Sequence, residues 1–130
     1  MSRDVRFLAL AAFRAARMRG AGPVVGFTFA NASRFLPVER LYETDEIVAF
    51  RHPRPVSPGH TLIVPKRRIA GVEALPDGDG RLLLQVLDAA HHVARATGIG
   101  AYSLSVNGGA YQDIRQLHFH LVPRSPSAGR

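Results

Sequence analysis

Segment 116–122 carries two histidines and a glutamine at alternate positions, and it is the stretch of this sequence best suited to chemistry. Gln116, His118 and His120 lie at i, i+2 and i+4, with apolar residues between them. A period of two is typical of a half-buried β-strand, so the three polar side chains are predicted to share one solvent-facing side of a sheet. A neutral imidazole attacks an electrophile through one nitrogen when an acceptor holds the proton on the other. The pattern therefore indicates a nucleophilic site, with a pair of surface histidines as the simpler alternative.

A metal site is a second alternative for the same histidines. His118 and His120 converge on one side of a strand, and a third ligand would have to come from His52, His60 or Asp113. The sequence has no cysteine and no His-Glu-x-x-His helix. We therefore expect no metal ligands among these residues and no cofactor.

The polar face is predicted to extend onto a neighbouring strand. Residues 102–107 also alternate, and Asn-Gly-Gly at 107–109 is a strong turn signal before the histidine segment. If the two strands pair antiparallel, their polar residues and those of the loop form one surface. This surface comprises Ser103, Ser105, Asn107, Gln112, Asp113, Arg115, Gln116, His118 and His120. Such a concentration of polar side chains indicates a binding or catalytic site.

Segment 116–122 resembles the signature of the histidine-triad (HIT) family, in which three histidines alternate with apolar residues. His118 corresponds to the central, nucleophilic histidine and His120 to the third, whereas Gln116 replaces the first. Residues 49–66, which end in Gly-His-Thr-Leu-Ile-Val-Pro-Lys, resemble the family's strand, proline-rich turn and following strand. The resemblance covers residues 41–124 and rests on two motifs in the expected order.

The resemblance implies a nucleotide hydrolase or nucleotidyl transferase. Such an enzyme acts on the α-phosphate of a nucleoside monophosphate derivative, either a dinucleoside polyphosphate or a nucleoside phosphoramidate. His118 would form a nucleotidyl-histidine intermediate that water then hydrolyses. His120 and Gln112 would bind phosphate oxygens or the leaving group, and His60 and Asn107 would line the nucleotide site.

The chain departs from the family pattern at several positions. His52 replaces an aspartate that usually binds ribose hydroxyls, and Asp113 replaces a serine or threonine near the phosphate. Gln116 can donate a hydrogen bond but cannot transfer a proton near neutral pH, so good leaving groups should be favoured. These departures support an alternative, a nucleotide-binding or nucleic-acid-associated module with little turnover.

Length and composition predict one domain with a single core, since 46% of the 130 residues are hydrophobic and 21% are charged. The lack of cysteine excludes disulfides and thiol catalysis, and it fits a cytoplasmic protein. The formal net charge of +7 is unevenly distributed, because residues 1–40 carry seven arginines against two acidic residues. Contact of this basic segment with nucleic acid or a membrane surface is the less favoured interpretation.

The order of apolar patterns predicts an α+β fold, with an antiparallel sheet of about five strands and helices on one face. Residues 1–36 are predicted to be a helical extension packed on the domain, residues 37–124 the HIT-like domain, and residues 125–130 a disordered tail. We expect strands at 38–43, 47–51, 61–65, 102–107 and 116–122.

A helix is expected at residues 81–96, after a break at 76–80, with Asp79 as its N-cap and Gly98 at its end. Its inner side is predicted to hold Leu83, Val86, Leu87, Ala90 and Ala94. Four further apolar residues, Leu82, Leu84, Ala89 and Val93, lie outside that stripe. A helix that is apolar over more than one stripe needs a second partner, so we predict a homodimer.

Overall fold

The computed structural model describes residues 39–125, which form a five-stranded antiparallel sheet and one α-helix. The strands are β1 (Arg40–Glu43), β2 (Ile47–Arg51), β3 (Thr61–Pro65), β4 (Tyr102–Val106) and β5 (Phe119–Pro123), and the helix α1 is Gly80–Thr97. Two short 3-10 turns, Val72–Ala74 and Gly109–Tyr111, lie in the connections. The predicted α+β class and antiparallel sheet are confirmed. The predicted extension at residues 1–36 and the tail after residue 125 lie outside the described residues.

The strand order β1-β2-β3-β5-β4 determines which residues meet. β5, the last strand in sequence, lies between β3 and β4 and pairs antiparallel with both. Leu62 of β3 and Ser105 of β4 are both register partners of His120. The predicted antiparallel pairing of the last two strands is thus confirmed, and β3 is added on the other side of the histidine strand.

The core lies between the sheet and α1, and its composition corrects the predicted inner side of the helix. The buried helix residues are Leu82, Val86, Ala89, Ala90, Val93 and Ala94. Leu83 and Leu87, which were predicted to face inward, are 41% and 54% exposed. Because α1 is apolar around more than half of its circumference, periodicity alone could not identify the stripe that faces the sheet.

The ends of α1 follow the sequence signals in part. Gly98 adopts the left-handed conformation (φ 72°) and its N–H bonds to the carbonyls of Ala94 and Arg95, as expected for a C-terminal cap. Asp79 occupies the N-cap position, but its side chain makes no cap hydrogen bond. It forms a salt bridge with Arg67 instead. No helix among residues 39–125 is long and apolar enough to cross a membrane.

The histidine strand is shorter than predicted, because β5 begins at Phe119 rather than at residue 116. The ladder with β3 ends at the pair Ile63–Phe119, and β3 itself ends at Pro65, which has no N–H to offer a partner. The N–H of Leu117 instead bonds to the carbonyl of Ile69 at 2.7 Å. Gln116 and His118 therefore lie before the strand, and they are buried rather than solvent-facing.

Candidate active site

Two parts of the chain that are distant in sequence, residues 52–60 and 118–120, bring four imidazole rings together. His52 follows β2, His60 precedes β3, and His118 and His120 lie on the segment that enters β5. The ring centroids are 4.3 Å apart for His52 and His60, 5.2 Å for His60 and His120, and 5.1 Å for His118 and His120. The sheet order produces this cluster, because β3 lies between β2 and β5.

The hydrogen bond of His118 determines which of its nitrogens carries the proton. Its Nδ1 lies 2.7 Å from the carbonyl oxygen of Gln116, an atom that can only accept. Nδ1 must therefore be the N–H donor, and in the neutral ring Nε2 keeps its lone pair. His118 is 8% exposed and thus largely shielded from water. Its Nε2 has the protonation state that a nucleophile requires.

His60 sets the opposite tautomer in His120. The backbone N–H of Val56 donates to Nδ1 of His60 at 3.2 Å, so the proton of the neutral ring is on Nε2. That Nε2 lies 3.0 Å from Nδ1 of His120 and donates to it. Neutral His120 must then carry its own proton on Nε2, and this nitrogen is buried and has no hydrogen-bond partner among residues 39–125. Such an N–H could donate a hydrogen bond to an oxygen of a substrate that came next to it.

His52 is held by its own turn. The backbone N–H of Arg54 donates to Nδ1 of His52 at 2.9 Å, which places the proton of the neutral ring on Nε2. Its ring stacks on that of His60. His52 thus offers a donor and a ring face at the position where the family pattern has a carboxylate.

The three rings of His52, His60 and His120 have nitrogen atoms that all lie within 4.8 Å of one another, which is close enough for a shared metal ion. A histidine that ligates a metal usually donates its other ring N–H to an acceptor. In His52 and His60 the Nδ1 atom instead accepts a backbone N–H, so Nε2 carries the proton that a metal would have to displace. The hydrogen-bond pattern therefore opposes metal binding by this cluster.

All four rings are neutral at neutral pH because burial disfavours the cation. Desolvation, with the neighbouring histidines, lowers the pKa of His52 to about 3 and that of His120 to about 4. Desolvation also lowers the pKa of His60 and of His118, although for His118 the bond to the Gln116 carbonyl and the charge of Asp113 act in the opposite direction. The lone pair of His118 is therefore available at neutral pH.

These shifts predict that acidification destabilises the protein. A histidine whose pKa is lower in the folded state binds fewer protons there than in the unfolded chain, so the free energy of unfolding falls as pH falls below about 6.5. The loss of stability that is due to His120 continues until the pH reaches its pKa of about 4, and the loss due to His52 continues to about 3. Thermal melts between pH 7.5 and pH 4.5 should show a falling melting temperature, with a shallower slope for His52→Asn. His91→Asn, on the exposed side of α1, is the control, and an equal slope in both variants would contradict the argument.

A cavity of about 430 Å³ opens beside the cluster. Five of the residues predicted from the sequence line it, namely His52, His60, Asn107, Asp113 and His120. Ser105 is also part of the wall, as the predicted polar face requires. Arg54 and Tyr111 lie on the two loops that border the cavity, and neither was predicted from the sequence. Their only local signals are the proline-rich turn and the Asn-Gly-Gly turn, and neither specifies which side chain faces the site.

Two predicted site residues have their side-chain amides in the protein interior instead. Gln112 donates to the carbonyls of Ala70 and Ile114 at 2.6 and 2.7 Å. Gln116 donates to the carbonyls of Pro65 and Arg67 and is 1% exposed. Neither lies in the wall of the 430 Å³ cavity, and His118 does not line it either. His118 borders a much smaller buried space that it shares with Gln116.

Comparison with known proteins yields one family. The profile described as the HIT domain matches residues 34–127, which include every strand of the sheet. A HIT-like protein from Synechocystis sp. is 34% identical over 96 residues, which cover 72% of this chain and 84% of that protein. Adenosine 5′-monophosphoramidase of Saccharomyces cerevisiae is 33% identical over 91 residues, which cover 68% of this chain and 56% of the yeast protein.

The fold has solved relatives as well. The structure of a HIT family hydrolase from Clostridium thermocellum aligns with a TM-score of 0.70 and 31% sequence identity. The alignment covers 79% of this chain and 94% of that chain.

Proposed function

The chain belongs to the HIT domain family, and we propose that it hydrolyses a nucleoside monophosphate derivative at its α-phosphate through a nucleotidyl-histidine intermediate. One observation carries the proposal. His118 and His120 hold opposite tautomers, so that one ring offers a lone pair and the next offers an N–H. Attack on phosphorus needs both, because the electrophile must be reached by a nucleophile while its oxygens are neutralised.

The proposed reaction has two displacements at the same phosphorus. In the first, the lone pair on Nε2 of His118 forms a P–N bond, and the bond to the leaving group breaks with its electron pair on that group, which takes up a proton from solvent if it leaves as an amine. In the second, a water oxygen attacks phosphorus and releases one proton to solvent, the P–N bond breaks with its electron pair on Nε2, and the nucleoside monophosphate leaves with His118 restored. The N–H on Nε2 of His120 would bind a phosphate oxygen or the departing atom in both steps.

The substrate is proposed to be a nucleoside phosphoramidate or a dinucleoside polyphosphate. The yeast relative is named for adenosine 5′-monophosphoramidase activity, which supports the first class. In both classes a nucleotide would occupy the cavity that His120 lines, with its α-phosphate at the end of the cavity nearest to His118.

A panel of substrates in the presence of a chelator tests this function. We expect the purified chain to hydrolyse adenylated and guanylated substrates with fluorescent leaving groups, at the same rate with and without EDTA. Nucleotide binding by calorimetry without turnover would support the alternative of a binding module. Stoichiometric zinc that is lost together with activity would show that the three-histidine cluster ligates a metal despite its hydrogen bonds.

We also propose that the chain forms a homodimer through apolar residues exposed on α1, with β4 as a second candidate contact. Leu83, Leu84 and Leu87 are exposed on the helix, and Tyr102 and Val106 are exposed on β4, which is an edge strand of the sheet formed by residues 39–125. Light scattering should give twice the chain mass of 14.1 kDa. Leu87→Asp should shift the protein to the monomer, whereas Val72→Asp, at an exposed apolar position on a 3-10 turn, should not. A wild-type monomer at micromolar concentration would exclude the dimer.

A further inference from the structure

Gln116 is the residue of the histidine segment that the proposed reaction does not use, yet its side-chain nitrogen makes two hydrogen bonds. Its Nε2 donates to the carbonyl of Pro65 at 3.0 Å and to that of Arg67 at 2.9 Å. The side chain is 1% exposed, and its Oε1 is buried without a partner. Both amide hydrogens are thus used in bonds to backbone oxygens.

These two bonds continue the contact between β3 and β5 beyond the end of their ladder. The last register pair is Ile63 with Phe119. Beyond it, the two segments are joined by the side-chain amide of Gln116 and by the bond from the Leu117 N–H to the carbonyl of Ile69. His118 lies between the end of the ladder at Phe119 and the bonds made by Gln116 and Leu117. Its position is therefore fixed on one side by the ladder and on the other by the Gln116 side chain.

The main chain of Gln116 acts on the nucleophile directly. Its carbonyl oxygen accepts the Nδ1–H of His118 at 2.7 Å, the bond that leaves the lone pair on Nε2. A shift or rotation of this peptide would remove the acceptor, and the proton of His118 would then distribute between its two nitrogens. The tautomer of His118 thus depends on where the side chain of Gln116 holds its own carbonyl.

We propose that Gln116 is a positioning residue whose doubly donating amide, bonded to the carbonyls of Pro65 and Arg67, holds the acceptor that sets the tautomer of His118. This role rests on the proposed function, because it matters only if His118 is the nucleophile. It replaces the sequence-based interpretation in which Gln116 faced the substrate and limited proton supply to the leaving group.

The amide is suited to this position in a way that neither an imidazole nor a thioether is. A primary amide carries two hydrogens on one nitrogen, whereas a neutral imidazole carries one and methionine carries none. Gln116→His therefore leaves at least one of the two carbonyls without a donor, and Gln116→Met leaves both. On this argument Gln116→His lowers activity toward good and poor leaving groups alike.

The experiment compares full-length wild type with Gln116→Met and Gln116→His. The tautomer of His118 is read from the nitrogen chemical shifts of its ring without substrate, and kcat and KM are measured on the best substrate of the panel. In wild type we expect the Nδ1–H form. In Gln116→Met we expect a mixture of tautomers and a kcat lower by about 10- to 100-fold, with KM little changed.

Val86→Ala is the control for a loss of stability, because Val86 is a buried core residue of α1 and lies outside the site. At a matched melting temperature it should keep the wild-type tautomer and kcat. An unchanged His118 tautomer in folded Gln116→Met would overturn the proposal, as would a selective gain of Gln116→His on poor leaving groups. If wild type turns over no substrate, the proposed function fails, but the tautomer comparison still decides whether Gln116 positions His118.

Discussion

Replacement of His118 by alanine is expected to abolish turnover, and this is the largest effect that the site predicts. The variant has no atom that can form the P–N bond. Loss of a general base would lower the rate by about 10²–10⁴-fold. Loss of a covalent nucleophile should lower the rate by more than that. The ring is 8% exposed and shares a small buried space with Leu62, Val64 and Ile114, so His118→Ala should also lower stability, by roughly 1–3 kcal/mol.

Because of that stability cost, the test needs a folded comparison. His118→Gln retains more of the side-chain volume and should be equally inactive. Wild type incubated with a substrate labelled on the phosphate should retain the label as a phosphoramidate on His118 after a rapid quench, and both variants should retain none. Wild-type rates in His118→Gln, or label on another residue, would contradict the covalent mechanism.

The fold was predictable where the signal is local. β2 and β3 occupy the predicted residues, because each is a short run of β-branched and apolar residues between turn formers. Gly98 ends the helix as expected, since the left-handed conformation is inexpensive for glycine. The choice of Leu83 and Leu87 as core residues was wrong, because only the sheet determines which stripe of an apolar helix is buried.

The site was predictable as a set of residues but not as a geometry. Alternation indicated that His118 and His120 lie near one another, and the family resemblance added His60 and His52. The alternation could not indicate that His60 donates to His120, because the bond spans 60 residues and requires β3 beside β5. The alternation also did not predict the burial of Gln116, because a period of two identifies a face of the sheet but not what covers that face.

The opposite tautomers of His118 and His120 have separate origins in the fold. His118 takes its tautomer from a carbonyl two residues earlier in the same segment. His120 takes its tautomer from His60, whose own proton is placed by the Val56 N–H in the proline-rich turn. The proposed site thus needs the proline-rich turn in place, although that turn does not supply the nucleophile.

The second large effect is therefore expected at His60 and His120, and a double-mutant cycle distinguishes their roles. His120→Ala removes the N–H donor and should lower kcat by about 10²–10³-fold, as loss of one oxyanion donor does elsewhere. His60→Ala leaves His120 in place but removes the bond that keeps its proton on Nε2, so a smaller loss is expected. His60→Gln should recover part of that loss, because its amide N–H can replace the donor on the imidazole. If His60 acts only through His120, the double variant His60→Ala/His120→Ala should be no slower than His120→Ala alone. Losses that multiply would show instead that His60 contacts the substrate independently, and the tautomer argument for His120 would then be wrong.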